Sequence, residues 1–570
     1  MRSIRTRPEP LAAALVAAAG ALLGVPLGCS GPLPAPIAVT GDAADAPARG
    51  GTLHLASFTD MRSLDPATGP DGLAMQAVTL LYDGLVDIDR GSNVVPDLAE
   101  RWEIDDRGRT YRFTLRAGVR MHDGQELTAD DVKRSVERAL HPTTPNPQAS
   151  LFEGLLGYAD YVAGRAPHLA GVVVEGARVV SFLLAEPDAA FLTLAALPSL
   201  RPVCRSAGER YEATFSPCGA GPFRVEPGGW QRGASLRLVR HEGYFRPGLP
   251  YLDAVEWQFL VVTNSQRFRF LAGEQDLVVD PTQADYARYV RDPRWRPLGV
   301  PLVDNTTWGE AMNTRMPPFD NVEIRRAVAA AVDREHYALL RPANMVPASQ
   351  LLPRGVIGYD PTIVGQVYDE RAALEHMRKA GYPYDPATGK GGWPAPVVYT
   401  VPDQTTNFYT SQILQQTLAR IGIRLELRLV SWPAYLALTQ RAGSSAFHPQ
   451  GNTEDYADPS AFFDMLFTTS SIRDEGSANT AFYSNPRFDD RVGRARHEMN
   501  PVARRALYRD AGELLCDEAP WAFAWGLHDF VIRQPYVRGF AAHPVWPLDV
   551  RTVWLDRPDE AGRVLRGGLR

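Results

Sequence analysis

Four cysteines and eleven histidines are the side chains best suited to nucleophilic, redox or metal chemistry, and their spacing offers little of it. No Cys-x-x-Cys, His-Glu-x-x-His or Gly-x-Ser-x-Gly occurs, so the local signatures of dithiol exchange, zinc proteolysis and serine hydrolysis are missing. His497-Glu498 has no second histidine one helical turn on. Gly389-Lys390 lacks both the following hydroxyl residue and the preceding glycine of a phosphate-binding loop. The scattered histidines read as surface or satisfied core residues. No catalytic residue, metal or cofactor is expected. What remains is the chemistry of the cysteines themselves: acylation, disulfide formation and burial.

Acylation belongs to Cys29. Arg2, Arg5 and Arg7 precede an apolar run from Leu11 to Leu27, which is short for a membrane-spanning helix and suits a signal peptide. It ends in Pro26-Leu27-Gly28-Cys29, similar to a bacterial lipobox, with Pro26 where leucine usually stands. Lipidation of Cys29 is the expectation; ordinary cleavage with loss of Cys29 is the alternative. Residues 1–29 are then a leader, and 30–49, rich in Ser, Gly, Pro and Ala, a flexible tether. No later segment is apolar enough to span a membrane.

Export gives the other cysteines meaning. Cys204 and Cys218 lie close together in a loop-like stretch rich in Pro and Gly, which predicts a disulfide, two buried thiols being the alternative. Cys516, within Leu514-Leu515-Cys516, reads as a small buried hydrophobe.

These residues must be positioned by more than one core, because 570 residues imply two or three domains. A net charge of -6 excludes a nucleic-acid footprint. The three lysines among 60 basic residues reflect genome composition. Strands are expected over residues 51–56, 111–115 and 255–261, and a turn through His122-Asp123-Gly124. Thr128, with Asp131 three residues on, predicts a capped helix whose apolar stripe is Val132, Val136, Ala139 and Leu140. Asn321 caps another, with Ile324, Ala327, Val328, Ala331 and Val332 on one face. From Pro394 to Trp432 the order is strand, helix, strand: a βαβ unit with parallel neighbours, Ile423, Leu425, Leu427 and Leu429 alternating along the second strand.

Several blocks then occur in an order that resembles one family. They are Leu80-Leu81-Tyr82-Asp83-Gly84-Leu85-Val86, Val95 to Trp102, Tyr111 to Leu115 with Met121-His122-Asp123-Gly124, Leu127 to Val132, Gly219 to Phe223, Asn313 to Asp320, Tyr456-Ala457-Asp458-Pro459 and Asn479 to Pro486. Together they resemble the family 5 extracellular solute-binding proteins, the dipeptide/oligopeptide-binding class of ABC importers. The resemblance implies an α/β fold, a periplasmic-binding-protein-like (type II, enlarged three-domain) clamshell with mixed sheets and hinged lobes. Domain I would comprise 50–86, 208–303 and 511–557, domain II 87–207, and domain III, the ligand-binding lobe, 304–510.

It further implies a monomer, held outside the cytoplasmic membrane in the periplasm or at the cell surface, that hands a peptide to an ABC permease/ATPase complex. Asp455 would pair with the peptide's α-ammonium, and the backbone of Gly451, Asn452 and Thr453 would lie beside it like an added strand. Asn452 stands where close peptide-binding relatives carry Trp. The alternative for Asp455 is a cap on the turn into the Pro459-Ser460 helix. Trp308 and Trp432 are expected at the cleft, as platforms suited to an oligosaccharide as well; Gln148 and Gly72 complete the expected ligand contacts. Similar proteins also carry nickel, haem or opines. An exported hydrolase, the reading from another class, is disfavoured by the ordered blocks.

Overall fold

The computed structural model describes residues 33–36, 46–68, 72–208, 210–212, 215–279, 281–302, 305–341, 344–403, 405–454, 456–528, 530–546 and 548–556. Cys29 and Asp455 lie outside the described residues.

The first unit opens with β1 (Thr52–Ala56), whose Leu53 and Leu55 point into a core, followed by α1 (Gly72–Leu81). A second unit is inserted next. It contains β2 (Ala99–Asp105), β3 (Thr110–Leu115), α2 (Ala129–Leu140), β4 (Val172–Val174) and β5 (Val179–Leu183). Its sheet is antiparallel in the order β2-β3-β5-β4. The α2 cap is as expected: the Thr128 side chain accepts the Asp131 N–H at 3.4 Å, and the Asp131 carboxylate accepts the Thr128 N–H at 3.0 Å. Val132, Val136, Ala139 and Leu140 are all buried beneath it.

The chain then returns to the first unit with β6 (Phe223–Gln231), β7 (Ser235–Arg240) and β8 (Ala254–Gln258), giving the order β1-β8-β7-β6 with β1 and β8 parallel. The expected strand over 255–261 stops at Gln258, and Leu260 takes a φ of 58°, a left-handed conformation no strand continues through. After β9 (Leu277–Val278), α3 (Gln283–Arg291) and β10 (Gly299–Pro301) the chain enters the third unit.

That unit is built on β11 (Thr306–Met312), α4 (Val322–Ala331), β12 (Met345–Pro347), β13 (Val397–Pro402), α5 (Thr405–Ala419), β14 (Leu425–Val430), α6 (Trp432–Thr439), β15 (Phe447–Thr453), α7 (Ser460–Phe467), α8 (Pro486–His497), α9 (Pro501–Glu518) and β16 (Trp521–Leu527). Six strands form one sheet in the order β12-β16-β11-β15-β13-β14. The expected βαβ unit is β13-α5-β14, parallel from Val397 opposite Leu425 to Pro402 opposite Val430. Leu429, expected on the buried face, is 48% exposed because β14 is the sheet's edge. Asn321 caps α4 by accepting the Glu323 N–H.

A further strand, β17 (Phe530–Arg533), lies between β9 and β10 in a small sheet of the first unit. The chain therefore passes between the units built on β10/β17 and β11/β16 twice, from Pro301 to Thr306 and from Leu527 to Phe530. The segment 511–527, assigned above to domain I, hydrogen-bonds through β16 to β11 and β12 in the large sheet.

The expected disulfide is present. Cys204 and Cys218, 5.4 Å apart at Cα, tie the end of the inserted unit to the strand that follows it. Replacing both by serine is expected to lower stability by about 3 kcal/mol, the loop-closure entropy of a short loop, read as the shift in urea midpoint between oxidised protein and variant. Cys516 is only half-buried, yet burial pushes its thiol up to about 12 and leaves it unreactive at neutral pH.

Candidate functional site

The site is built from β15 upward. β15 pairs with β11 along its whole length, from Phe447 opposite Met312 to Thr453 opposite Thr306. Its other neighbour, β13, meets it only at Tyr399 opposite Phe447 and then diverges. Among the described residues, no strand pairs with the far edge of β15 from Pro449 to Thr453. Gln450, Gly451 and Asn452 are half-buried and Thr453 is exposed. This edge therefore has no strand partner, although two of its carbonyls are taken by side chains, Pro449 by Tyr435 and Gly451 by the Gln450 amide at 3.2 Å.

The residues around that edge explain its sequence. Trp308 stands opposite Gly451 in register, and its indole stacks on Trp525 with ring centres 5.0 Å apart and planes 7° from parallel. A Cβ at position 451 would lie 2.4 Å from the Trp308 ring, so glycine is the residue this approach admits. The Asn452 amide donates to the Ala461 carbonyl at the start of α7, 3.4 Å away. Trp432 is 43% exposed and stacks on Tyr435, whose hydroxyl donates to the Pro449 carbonyl. Trp308, Trp432, Gly451, Asn452 and Thr453 are therefore brought together.

Gln148 and Gly72 are placed elsewhere. Gln148 is half-buried in the inserted unit, ahead of a single turn at residues 149–152, and its Oε1 has no partner among the described residues. Gly72 begins α1 and lines a cavity of about 310 Å³ at the C-terminal ends of β1 and β8, beside Ser57, Phe58, Thr59 and Gln76. A second cavity, of about 270 Å³, borders both crossovers through Thr306, Thr307, Gly526 and His528.

Asp458 braces the turn into α7. Its carboxylate accepts the Ser460 N–H at 2.9 Å and a two-pronged pair from Arg504 at 2.6 and 2.7 Å. Asp464 is half-buried nearby, and desolvation raises its carboxyl to about 7, with Arg496 at 3.8 Å working against that rise.

Beneath the site lies a polar core that spacing did not reveal. Glu310, fully buried on β11, accepts hydrogen bonds from Tyr337 at 3.2 Å and from Tyr399. Burial pushes its carboxyl up to about 7, while the two hydroxyls pull the other way. His448, on β15, is pushed down to about 3 by burial and is neutral. One sign was available in the sequence: Glu310 is the single charge in Trp308-Gly309-Glu310-Ala311-Met312, which the alternation of a half-buried strand does not explain.

Comparison with known proteins bears on the family and the fold. The model of the bacterial extracellular solute-binding proteins, family 5 (middle), matches residues 93–474. The glutathione-binding protein GsiB of Salmonella typhimurium is 25% identical over 481 residues, covering 81% of this chain and 86% of that protein. Among solved structures, the clavulanic acid biosynthesis oligopeptide binding protein 2 is similar with a TM-score of 0.79 and 25% identity, over 91% of this chain and 98% of the other. DppA from Helicobacter pylori, in complex with the peptide STSA, gives 0.71 and 24%, over 89% and 99%.

Proposed function

Because the chain belongs to the family 5 bacterial extracellular solute-binding proteins, we propose that it is the substrate-binding subunit of an ABC importer and that its cargo is a short peptide. The open edge of β15 supports the peptide reading most directly. Main-chain hydrogen bonds ignore side-chain identity, so such an edge binds peptides of many sequences while pockets add preference. The relatives named for glutathione and oligopeptides bind molecules of this chemistry.

In this reading the lobes are residues 46–302 with 530–556, carrying the inserted unit, and residues 305–528. They hinge at the two crossovers and close over the peptide. Asp455, two positions beyond the end of β15, receives the peptide's α-ammonium. Titrating a tripeptide and its N-acetylated form tests this. Wild type is expected to lose affinity for the acetylated form by a factor corresponding to about 2–5 kcal/mol, the usual cost of removing one partner of a desolvated charge pair. Asp455→Asn is expected to narrow the gap. Equal affinities for both forms overturn the anchor and favour the second reading, an oligosaccharide stacked on the exposed face of Trp432.

The protein acts outside the cytoplasmic membrane, tethered through lipid on Cys29. Wild type is expected in the detergent phase on partitioning and Cys29→Ser in the aqueous phase; a wholly aqueous wild type removes the anchor.

A further inference from the structure

Leu33, four residues beyond Cys29, is 5% exposed. It sits in an apolar socket formed by Phe270, Tyr289, Trp295, Phe530 and Ile532. Two hydrogen bonds hold the backbone there: Arg294 donates to the Leu33 carbonyl at 2.7 Å, and the Trp295 indole donates to the Pro34 carbonyl at 2.9 Å. Trp295 is itself 1% exposed and packs on Phe270 and Tyr289, with ring centres 5.4 and 5.5 Å away. The socket's floor is β17, the strand reached by the second crossover.

Nothing in a free leash calls for this. A tether that only has to keep a protein near a membrane needs no buried leucine and no donors for its carbonyls, and its polar backbone is better solvated by water. Here a leucine is seated, both adjacent carbonyls are taken, and one donor is a buried indole that would lose its partner if the segment left.

We propose that Leu33 and Pro34 form a docking clip that fixes the beginning of the mature chain on the α3–Trp295 face. Only the four residues from Cys29 to Leu33 then remain as a leash, reaching at most about 14 Å. Resting on the reading that Cys29 is lipidated, the clip turns the tether into a directional mooring: the α3–Trp295 face is held toward the bilayer, and the crossover strand β17 is next to the anchor point.

Spin labelling of the unacylated mature chain beginning at Cys29, with the Cys204–Cys218 disulfide intact, tests the clip without lipid. In a Cys516→Ala background, Cys29 is labelled together with Arg291→Cys, at the exposed end of α3, and the distance distribution is measured by pulsed electron resonance. The expected result is a single confined population that widens about twofold on Leu33→Asp, with the circular dichroism spectrum of the folded protein unchanged. Arg294→Ala, which removes one donor and no apolar contact, is expected to widen it in the same direction. A distribution equally broad in wild type and both variants overturns the clip. Since the measurement contains no lipid, an aqueous wild type in the partitioning experiment would remove the anchor and leave this result standing.

Discussion

Truncating Arg138 to alanine is expected to destabilise the protein by about 3–5 kcal/mol, the range for breaking a buried ion pair from one side. Arg138 on α2 and Asp65 of the first unit are each about 1% exposed at the side chain. They meet in a two-pronged pair, Nη1 to Oδ1 at 3.0 Å and Nη2 to Oδ2 at 2.5 Å. The Asp65 Oδ1 also accepts the Ala67 N–H at 3.0 Å, so the carboxylate is well solvated by the protein only while the guanidinium is present. Removing the arginine leaves a charge in a closed space, which water cannot reach without opening the seam between the inserted unit and the first. The double variant Asp65→Leu/Arg138→Met is expected to recover most of the loss, because neither charge is then stranded. Urea midpoints of the single and double variants decide it. A single variant within 1 kcal/mol of wild type would mean that the seam already admits water.

The fold was legible where local chemistry and periodicity agree. Thr128 with Asp131, and Asn321 ahead of its stripe, mark helix starts because an unpaired N–H at a helix terminus needs a side-chain acceptor within three residues. The parallel pair β13 and β14 was legible because a strand-helix-strand order of that length admits little else. The limit of the large sheet was not. Residues 511–527 are a helix end and a strand whose burial pattern is apolar on both faces, and nothing in Trp521 to Leu527 says which sheet it will enter. The partner was set by register with β11, a contact more than 200 residues away in sequence.

The site divides in the same way. Gly451 was singled out through the family resemblance alone, and its physical reason, the indole of Trp308 lying over its Cα, exists only once the strands are paired. Asp458 was legible as part of a block and not as the brace of the turn into α7, since its partner Arg504 comes from another helix. The docking of Leu33 was invisible: one leucine in a stretch of Gly, Pro and Ala has no periodicity to betray it. Glu310 was missed because a lone acid in an apolar strand becomes meaningful only when Tyr337 and Tyr399, from two other elements, are found pointing at it.

Glu310 leads to the second large effect, a share of the stability lost with rising pH that a single substitution removes. Its ordinary value is 4.5, and burial raises it to about 7 in the folded protein. Below the ordinary value both folded and unfolded chains hold the proton, and the group does not discriminate between them. As pH rises toward 7 the unfolded chain releases the proton while the folded one keeps it or must carry a buried carboxylate, so this contribution to stability falls across the window and levels off above it. The full difference is roughly 3 kcal/mol, from about 1.4 kcal/mol for each pH unit of separation. Glu310→Gln keeps the shape and can still exchange hydrogen bonds with both tyrosine hydroxyls, but it has no proton to lose. Between pH 5 and pH 8 wild type is therefore expected to lose more stability than the variant, by roughly 3 kcal/mol, and the variant to be the more stable of the two at pH 8; Asp464, raised in the same direction, contributes equally to both profiles. Parallel pH profiles for the two proteins would show that Glu310 titrates as an ordinary carboxylate. Glu310 lies between Trp308 and Met312 on β11 and opposite Pro449 of β15, so ionisation strains the two strands that carry the open edge. The same titration repeated with bound peptide should show affinity weakening over the same pH window in wild type and not in the variant.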